Sequence, residues 1–119
     1  MEQKVLFVDD DPHWRDIVSL SFKEAGYEVI TAADATEGMS RAEGVKLGLI
    51  ILDLNLAGEN GLVLMRFMKR NHPDVPVLLY TATDQDDEAI RKMLNEGADQ
   101  YLPKGSIEEL LVAAGSYLK

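Results

Sequence analysis

The chain has 119 residues, no cysteine and a formal net charge of −9. This length suits a single domain spanning residues 1–119, which can bury a core without disulfides or structural metals. The negative charge opposes direct binding to nucleic acid or anionic lipid, and the lack of cysteine excludes disulfides, thiolate metal sites and a cysteine nucleophile.

The first apolar segment, Val5–Val8, is too short for a signal peptide or a membrane span. We therefore expect a soluble, cytoplasmic protein that makes no contact with a membrane.

Short β-prone segments alternate with segments of helical periodicity along the whole chain. Five strands are predicted, at Lys4–Val8, Glu28–Ala32, Leu47–Leu52, Val77–Thr81 and Tyr101–Leu102. Five helices are predicted to begin near Pro12, Asp34, Gly61, Asp84 and Ser106.

The sequence also predicts helix caps, one apolar helix face and one loop. Asp11 is predicted to cap the first helix, and Asp84 the fourth. The apolar face of the fourth helix is predicted to consist of Ala89, Ile90, Met93 and Leu94. Residues 55–60, which contain Gly58, are predicted to form a loop.

Strands that alternate with helices predict an α/β fold with a doubly wound parallel sheet. The five-stranded, flavodoxin-like version has the strand order 2-1-3-4-5. In such sheets ligands bind outside the carboxyl ends of the strands, where the strand order reverses between strands one and three. The fold therefore predicts a crevice at the ends of those two strands.

Carboxylates follow both of these strands. Asp9 and Asp10 follow the first, and the apolar run Leu49–Leu52 leads directly into Asp53. Taken alone, Asp53 could simply be a turn residue. Three carboxylates in one crevice, however, repel one another unless a cation or shared protons neutralise them, and an oxygen-only ligand set favours Mg²⁺.

Two further polar residues are predicted to lie at the same edge of the sheet. Thr81 ends the fourth strand and Lys104 lies just beyond the fifth. A hydroxyl and an ammonium group both suit the oxygens of a phosphoryl group.

In this order and at these strand ends, Asp9-Asp10, Asp53, Thr81-Ala82 and Lys104 resemble the receiver domain of two-component response regulators. The resemblance covers the whole chain. It implies that Asp53 is the phosphoacceptor and that Thr81 and Lys104 contact the acyl phosphate.

The resemblance also implies a metal site and a switch. Asp10, Asp53 and the main-chain carbonyl of Asn55 would ligate Mg²⁺, and Asp9 would act through water. Tyr101 matches an aromatic residue whose rotation in the family accompanies the movement of the residue at the position of Thr81.

The function implied is a phosphorylation-controlled switch in a two-component phosphorelay, and not an enzyme beyond its own phosphorylation and dephosphorylation. A histidine kinase or a histidine phosphotransfer protein would donate the phosphoryl group, and the surface of helix four, strand five and helix five would change. An output domain or a homodimer partner is a further expectation. The chain end after helix five fits either a stand-alone receiver or a segment of a longer regulator.

Two positions depart from the family pattern, which commonly has proline at the positions of Ala57 and Gly105. They leave open a receiver-like module that acts through protein contacts alone. A phosphohydrolase of the haloacid dehalogenase type is a third hypothesis, although that family places its nucleophile after the first strand. Trp14 could pack in the core or contact a partner beside the site.

Overall fold

A computed structural model describes residues 4–56, 58–82 and 84–118, so Ala57 lies outside the described residues. The strands are β1 (Lys4–Val8), β2 (Glu28–Ala32), β3 (Leu49–Leu52), β4 (Asn55–Leu56), β5 (Glu59–Asn60), β6 (Val77–Thr81) and β7 (Gln100–Pro103). The helices are α1 (Pro12–Glu24), α2 (Ala35–Ala42), α3 (Gly61–Asn71), α4 (Asp87–Asn95) and α5 (Ile107–Gly115).

Five of the strands form one parallel sheet in the order β2-β1-β3-β6-β7, while β4 and β5 form a separate hairpin. Because β6 and β7 are the fourth and fifth strands of the sheet, this is the predicted order 2-1-3-4-5. The flavodoxin-like α/β fold is confirmed. Val8, the last residue of β1, pairs with Leu52, the last residue of β3, so the carboxyl ends of these strands lie side by side.

The sheet is covered by helices on both faces, which explains the continuous apolar run in β3. Ile50 and Leu52 pack in one apolar cluster, and Leu49 and Ile51 pack in another on the opposite face. Alternate residues of a strand point to opposite faces, so a strand buried on both has no polar position. The first residue after this strand, Asp53, lies at the edge of the sheet.

Local structure differs from the sequence predictions at three places. Asp86, and not Asp84, caps α4, because its side chain accepts a hydrogen bond from the Ala89 N–H at 2.8 Å. Leu94, predicted to face inward, is 38% exposed, and Met93 is the residue of α4 that is buried. Where a loop was predicted, Asn55 and Leu56 pair antiparallel with Asn60 and Glu59, and Gly58 has a φ of 82°.

Candidate functional site

The parallel pairing of β1 and β3 brings Asp9, Asp10 and Asp53 together. The Asp53 N–H donates to the Val8 carbonyl and the Asp9 N–H donates to the Ala32 carbonyl, each at 3.0 Å, so the sheet fixes both main chains. One carboxylate oxygen from each of the three aspartates lies within 4.8 Å of the others. The structure therefore places all three carboxylates in one crevice.

The three carboxylates differ in exposure. Asp9 is fully buried, Asp53 is 4% exposed, and Asp10 is exposed at the rim. Oδ1 of Asp9 accepts the Asp11 N–H at 2.9 Å, and Oδ1 of Asp53 accepts the Asn55 N–H at 3.0 Å. Each buried carboxylate is thus held by a main-chain donor two residues further on, and Asp11 also caps α1 as predicted.

Lys104 lies between the two buried carboxylates. Its Nζ is 2.6 Å from Oδ2 of Asp9 and 2.9 Å from Oδ2 of Asp53, and its side chain is only 6% exposed. Burial lowers the pKa of the Lys104 ammonium, but contacts with Asp9 and Asp53 outweigh that effect and raise it. Lys104 therefore carries a fixed positive charge at the point where the carboxylates converge.

Asp9 keeps an unsatisfied acceptor despite its ion pair. Its Oδ2 is buried and lacks a well-aligned hydrogen bond among the described residues, so its contact with Lys104 is a charge contact. Burial raises the pKa of the Asp9 carboxyl more than Lys104 and the Asp11 N–H lower it.

These residues fit a hard divalent cation. Lys104 neutralises one of three carboxylates, which leaves excess negative charge and a buried oxygen acceptor in a site that has only oxygen ligands. Asp10, exposed at the rim, leaves the site open toward solvent. Mg²⁺ suits such a site because it commonly uses one or two carboxylates and keeps several waters.

Thr81 and Tyr101 lie on the adjoining strands. Thr81 is fully buried at the end of β6, and its carbonyl accepts the Lys104 N–H at 2.8 Å. Tyr101 is half-buried on β7, and burial, followed by the charge of Asp84, raises the pKa of its hydroxyl. Thr81 and Lys104 therefore share one edge of the sheet with the aspartates, while Tyr101 lies two residues before the end of the neighbouring strand.

Gly61 is a site residue whose importance the sequence analysis missed. Its N–H donates to the Leu54 carbonyl at 3.0 Å. A Cβ at this position would overlap the carbonyl oxygen of Asp53 and lie 2.7 Å from Cα of Leu54. Only glycine allows α3 to begin this close to Asp53, and the available signal was a glycine at the first helical position after the cap residue Asn60.

Two side chains of α1 also reach the site. Arg15 donates from its guanidinium to the main-chain carbonyl of Asp9 at 2.8 Å. The partly buried Trp14 ring packs against an apolar core cluster, and its centroid lies 5.2 Å from the Lys104 ammonium. No sequence signal separates these contacts from ordinary helix-surface positions.

None of the helices in the described ranges is long and apolar enough to cross a membrane.

Comparison with known proteins points to one family. The sequence model described as response regulator receiver domain matches residues 5–115. The DNA-binding dual master transcriptional regulator RpaA of Synechocystis is 35% identical, covering 98% of this chain and 49% of the relative. The phosphate regulon transcriptional regulatory protein PhoB of Pseudomonas aeruginosa is 33% identical, covering 92% and 48%. The chain thus spans about half the length of these relatives.

Solved structures share the fold over nearly the whole chain. The Vibrio cholerae chemotaxis protein CheY4 superposes with a TM-score of 0.91 at 30% identity, covering 99% of this chain and 100% of that one. The Thermotoga maritima response regulator TrrA, solved in complex with Mg²⁺ and BeF, has a TM-score of 0.86 at 26% identity, covering 98% and 99%.

Proposed function

The chain belongs to the family of response regulator receiver domains, and we propose that Asp53 accepts the phosphoryl group that controls it as a signalling switch. Such a domain is a signalling module and not a conventional enzyme. The observation that carries this assignment is the buried Asp53 carboxylate, 2.9 Å from the Lys104 ammonium and clustered with two further carboxylates. A nucleophile needs a nearby cation when it attacks a phosphoryl group that is itself negatively charged.

The transfer step uses groups of this chain. A carboxylate oxygen of Asp53 attacks the phosphorus of a donor phosphohistidine, the phosphorus–nitrogen bond breaks, and the imidazole nitrogen keeps the electron pair. The product is an acyl phosphate on Asp53. The Asn55 N–H holds the carboxylate in place through Oδ1, and Lys104 neutralises charge on the transferred oxygens.

Asp10, Asp53 and the main-chain carbonyl of Asn55 would hold Mg²⁺, with Asp9 acting through water. When bound, Mg²⁺ supplies positive charge to the phosphoryl oxygens. Asp9 suits an indirect role because it is fully buried and already contacts Lys104.

Phosphorylation adds charge that Thr81 and Lys104 can contact. Thr81 ends β6, and Tyr101 lies on the neighbouring strand β7. A movement of Thr81 toward the phosphoryl group, accompanied by rotation of Tyr101, would shift the surface formed by α4, β7 and α5 between two arrangements.

The phosphoryl donor is inferred from the transfer reaction, and the recipient of the signal is inferred from the longer relatives. A histidine kinase or a histidine phosphotransfer protein donates the phosphoryl group, in the cytoplasm. The named relatives are transcriptional regulators about twice as long as this chain, which supports an output domain or a homodimer as the recipient of the signal. The net charge of −9 argues against direct nucleic-acid binding by these residues.

Intact-mass spectrometry after incubation with Mg²⁺ and acetyl phosphate tests the assignment. We expect one added phosphoryl group in the unaltered protein and in the control Asp34→Asn, which keeps a residue able to cap α2. We expect none in Asp53→Asn or in EDTA. A folded, unmodified protein under these conditions would favour a module that acts through contacts alone, and rapid turnover of unrelated phosphoesters would favour a hydrolase.

A further inference from the structure

One buried hydroxyl holds the segment that carries Lys104. The Tyr80 side chain is fully buried, and its hydroxyl accepts the Gly105 N–H at 3.4 Å and donates to the Ser106 carbonyl at 3.3 Å. The Lys104 N–H donates to the Thr81 carbonyl at 2.8 Å. Three consecutive residues after β7 are therefore attached to the last two residues of β6.

The Tyr80 hydroxyl is suited to this double role. Burial raises the pKa of the Tyr80 hydroxyl, although the Gly105 N–H and Lys104 act to lower it. The group is therefore protonated at neutral pH and can donate and accept at once.

The Trp14 side chain completes the same cluster. Its ring stands edge-on to Tyr80, with centroids 5.5 Å apart and an interplanar angle of 88°. Its centroid is also 5.2 Å from Nζ of Lys104, within the range of a cation–π contact. Trp14 thus contacts both the ammonium and the residue that holds the Lys104 main chain.

The main chain next to Lys104 does not by itself hold this residue in one position. Gly105 follows Lys104, and a Cβ added there would meet nothing within 4 Å, so no steric contact requires glycine. Glycine gives the unfolded and loosely folded chain more conformational freedom than any other residue. The position of Lys104 therefore depends on contacts from elsewhere in the chain.

We propose that Tyr80 and Trp14 are positioning residues that together hold Lys104 between Asp9 and Asp53. Neither contacts the two carboxylates through a described hydrogen bond or ion pair, so both act through the lysine. The consequence for phosphorylation rests on the proposed function, but the placement of Lys104 can be measured without any phosphoryl donor.

Lysine-selective ¹³C NMR of the unphosphorylated protein measures that placement, because the Trp14 ring shifts the nearby Lys104 methylene protons. We expect the Lys104 Hε resonances of Tyr80→Phe to move toward those of exposed lysines. The matched control is Tyr117→Phe, which loses a hydroxyl bonded to Gln100 at the amino-terminal end of β7 and should leave Lys104 unchanged. Unaltered Lys104 resonances in folded Tyr80→Phe would overturn the proposal.

A double-mutant cycle gives a second test, which does not require Tyr80→Phe to fold. Trp14→Leu should slow phosphorylation by acetyl phosphate about fivefold, the factor expected for one net polar contact. The same substitution should have no effect in a Lys104→Met background, because the positioned group is gone. An equal effect in both backgrounds would show a general structural role and contradict the proposal. If the unaltered protein takes up no phosphoryl group, the proposed function fails, and the NMR comparison still decides the positioning role.

Discussion

The ammonium nitrogen of Lys104 lies 2.9 Å from Oδ2 of Asp53, although the two residues are 51 positions apart in the chain. This contact puts a positive charge against the carboxylate to which we assign phosphoryl transfer. Its proximity to Asp9 also makes Lys104 a competitor of any metal that binds the same carboxylates.

Lys104→Met should therefore have two opposite effects. Phosphorylation by acetyl phosphate should slow about 100-fold, as when one charge-stabilising donor is removed from an active site. Mg²⁺ should bind more tightly, because the carboxylates lose their competing cation. Stopped-flow kinetics and isothermal titration calorimetry measure the two effects.

The control for Lys104→Met is Lys69→Met, which removes a lysine paired with Asp99 away from the site. It should change neither the rate nor the Mg²⁺ affinity. Weaker Mg²⁺ binding in Lys104→Met would contradict the competition between lysine and metal.

The stability of the protein should fall at alkaline pH. The pKa of Lys104 is raised from 10.5 in the folded state, so its stabilising contribution is fully present below pH 10.5 and is lost as the pH rises through the higher folded value. The pKa of Tyr80 is raised from 10.0 by burial and acts in the same direction. Urea unfolding at about pH 9 and about pH 11 should show a smaller loss of stability in Lys104→Met than in the unaltered protein. An equal loss in both would mean that Lys104 gains no stabilisation from its ion pairs.

Gly61→Ala should destabilise the protein and misplace Asp53. The added Cβ overlaps the Asp53 carbonyl and lies 2.7 Å from Cα of Leu54, both main-chain atoms that cannot rotate away. We expect a loss of about 1–3 kcal/mol, typical of overpacking, measured by urea unfolding. Gly115→Ala is the control, because nothing lies within 4 Å of its Cβ, and it should be neutral or stabilising. Equal stability of the two variants would show that α3 can shift without cost.

Thr81→Ala should separate phosphoryl binding from the conformational change. The buried Thr81 lies at the end of β6, so its loss removes a hydroxyl without removing a carboxylate. Beryllofluoride with Mg²⁺ should still bind, but the amide shift changes across α4, β7 and α5 should be reduced in ¹⁵N NMR spectra. Thr31→Ala on β2 serves as the control and should keep those changes. Undiminished amide shift changes in Thr81→Ala would show that the Thr81 hydroxyl is not needed for the conformational change.

The sequence predicted the sheet order and the meeting of Asp9, Asp10 and Asp53, because parallel strands place their carboxyl ends at one edge and the apolar runs mark where each strand ends. It did not predict the contacts of Arg15 and Tyr80. The Arg15 side chain extends back from the first turn of α1 to the Asp9 carbonyl. The Tyr80 hydroxyl on β6 bonds to residues 105 and 106, which follow the neighbouring strand β7.

The sequence analysis also did not predict the cap of α4 or the pairing of β4 with β5. Asp84 and Asp86 are both acceptable caps by residue type, but it is Asp86 that has an extended main chain and a side chain that accepts the Ala89 N–H. The hairpin of β4 and β5 depends on a left-handed Gly58 and on a ladder of two residue pairs, Asn55 with Asn60 and Leu56 with Glu59. Two pairs are too few for strand periodicity to be visible in a sequence.

Locating the phosphoryl group on the chain tests the assignment of Asp53 most directly. Borohydride reduces an acyl phosphate to an alcohol, so peptide sequencing by tandem mass spectrometry after treatment with acetyl phosphate, Mg²⁺ and borohydride marks the modified aspartate. We expect homoserine at position 53 alone, with Asp9 and Asp10 unchanged. Homoserine at position 9 or 10, or a phosphoryl group on a residue other than aspartate, would contradict the assignment.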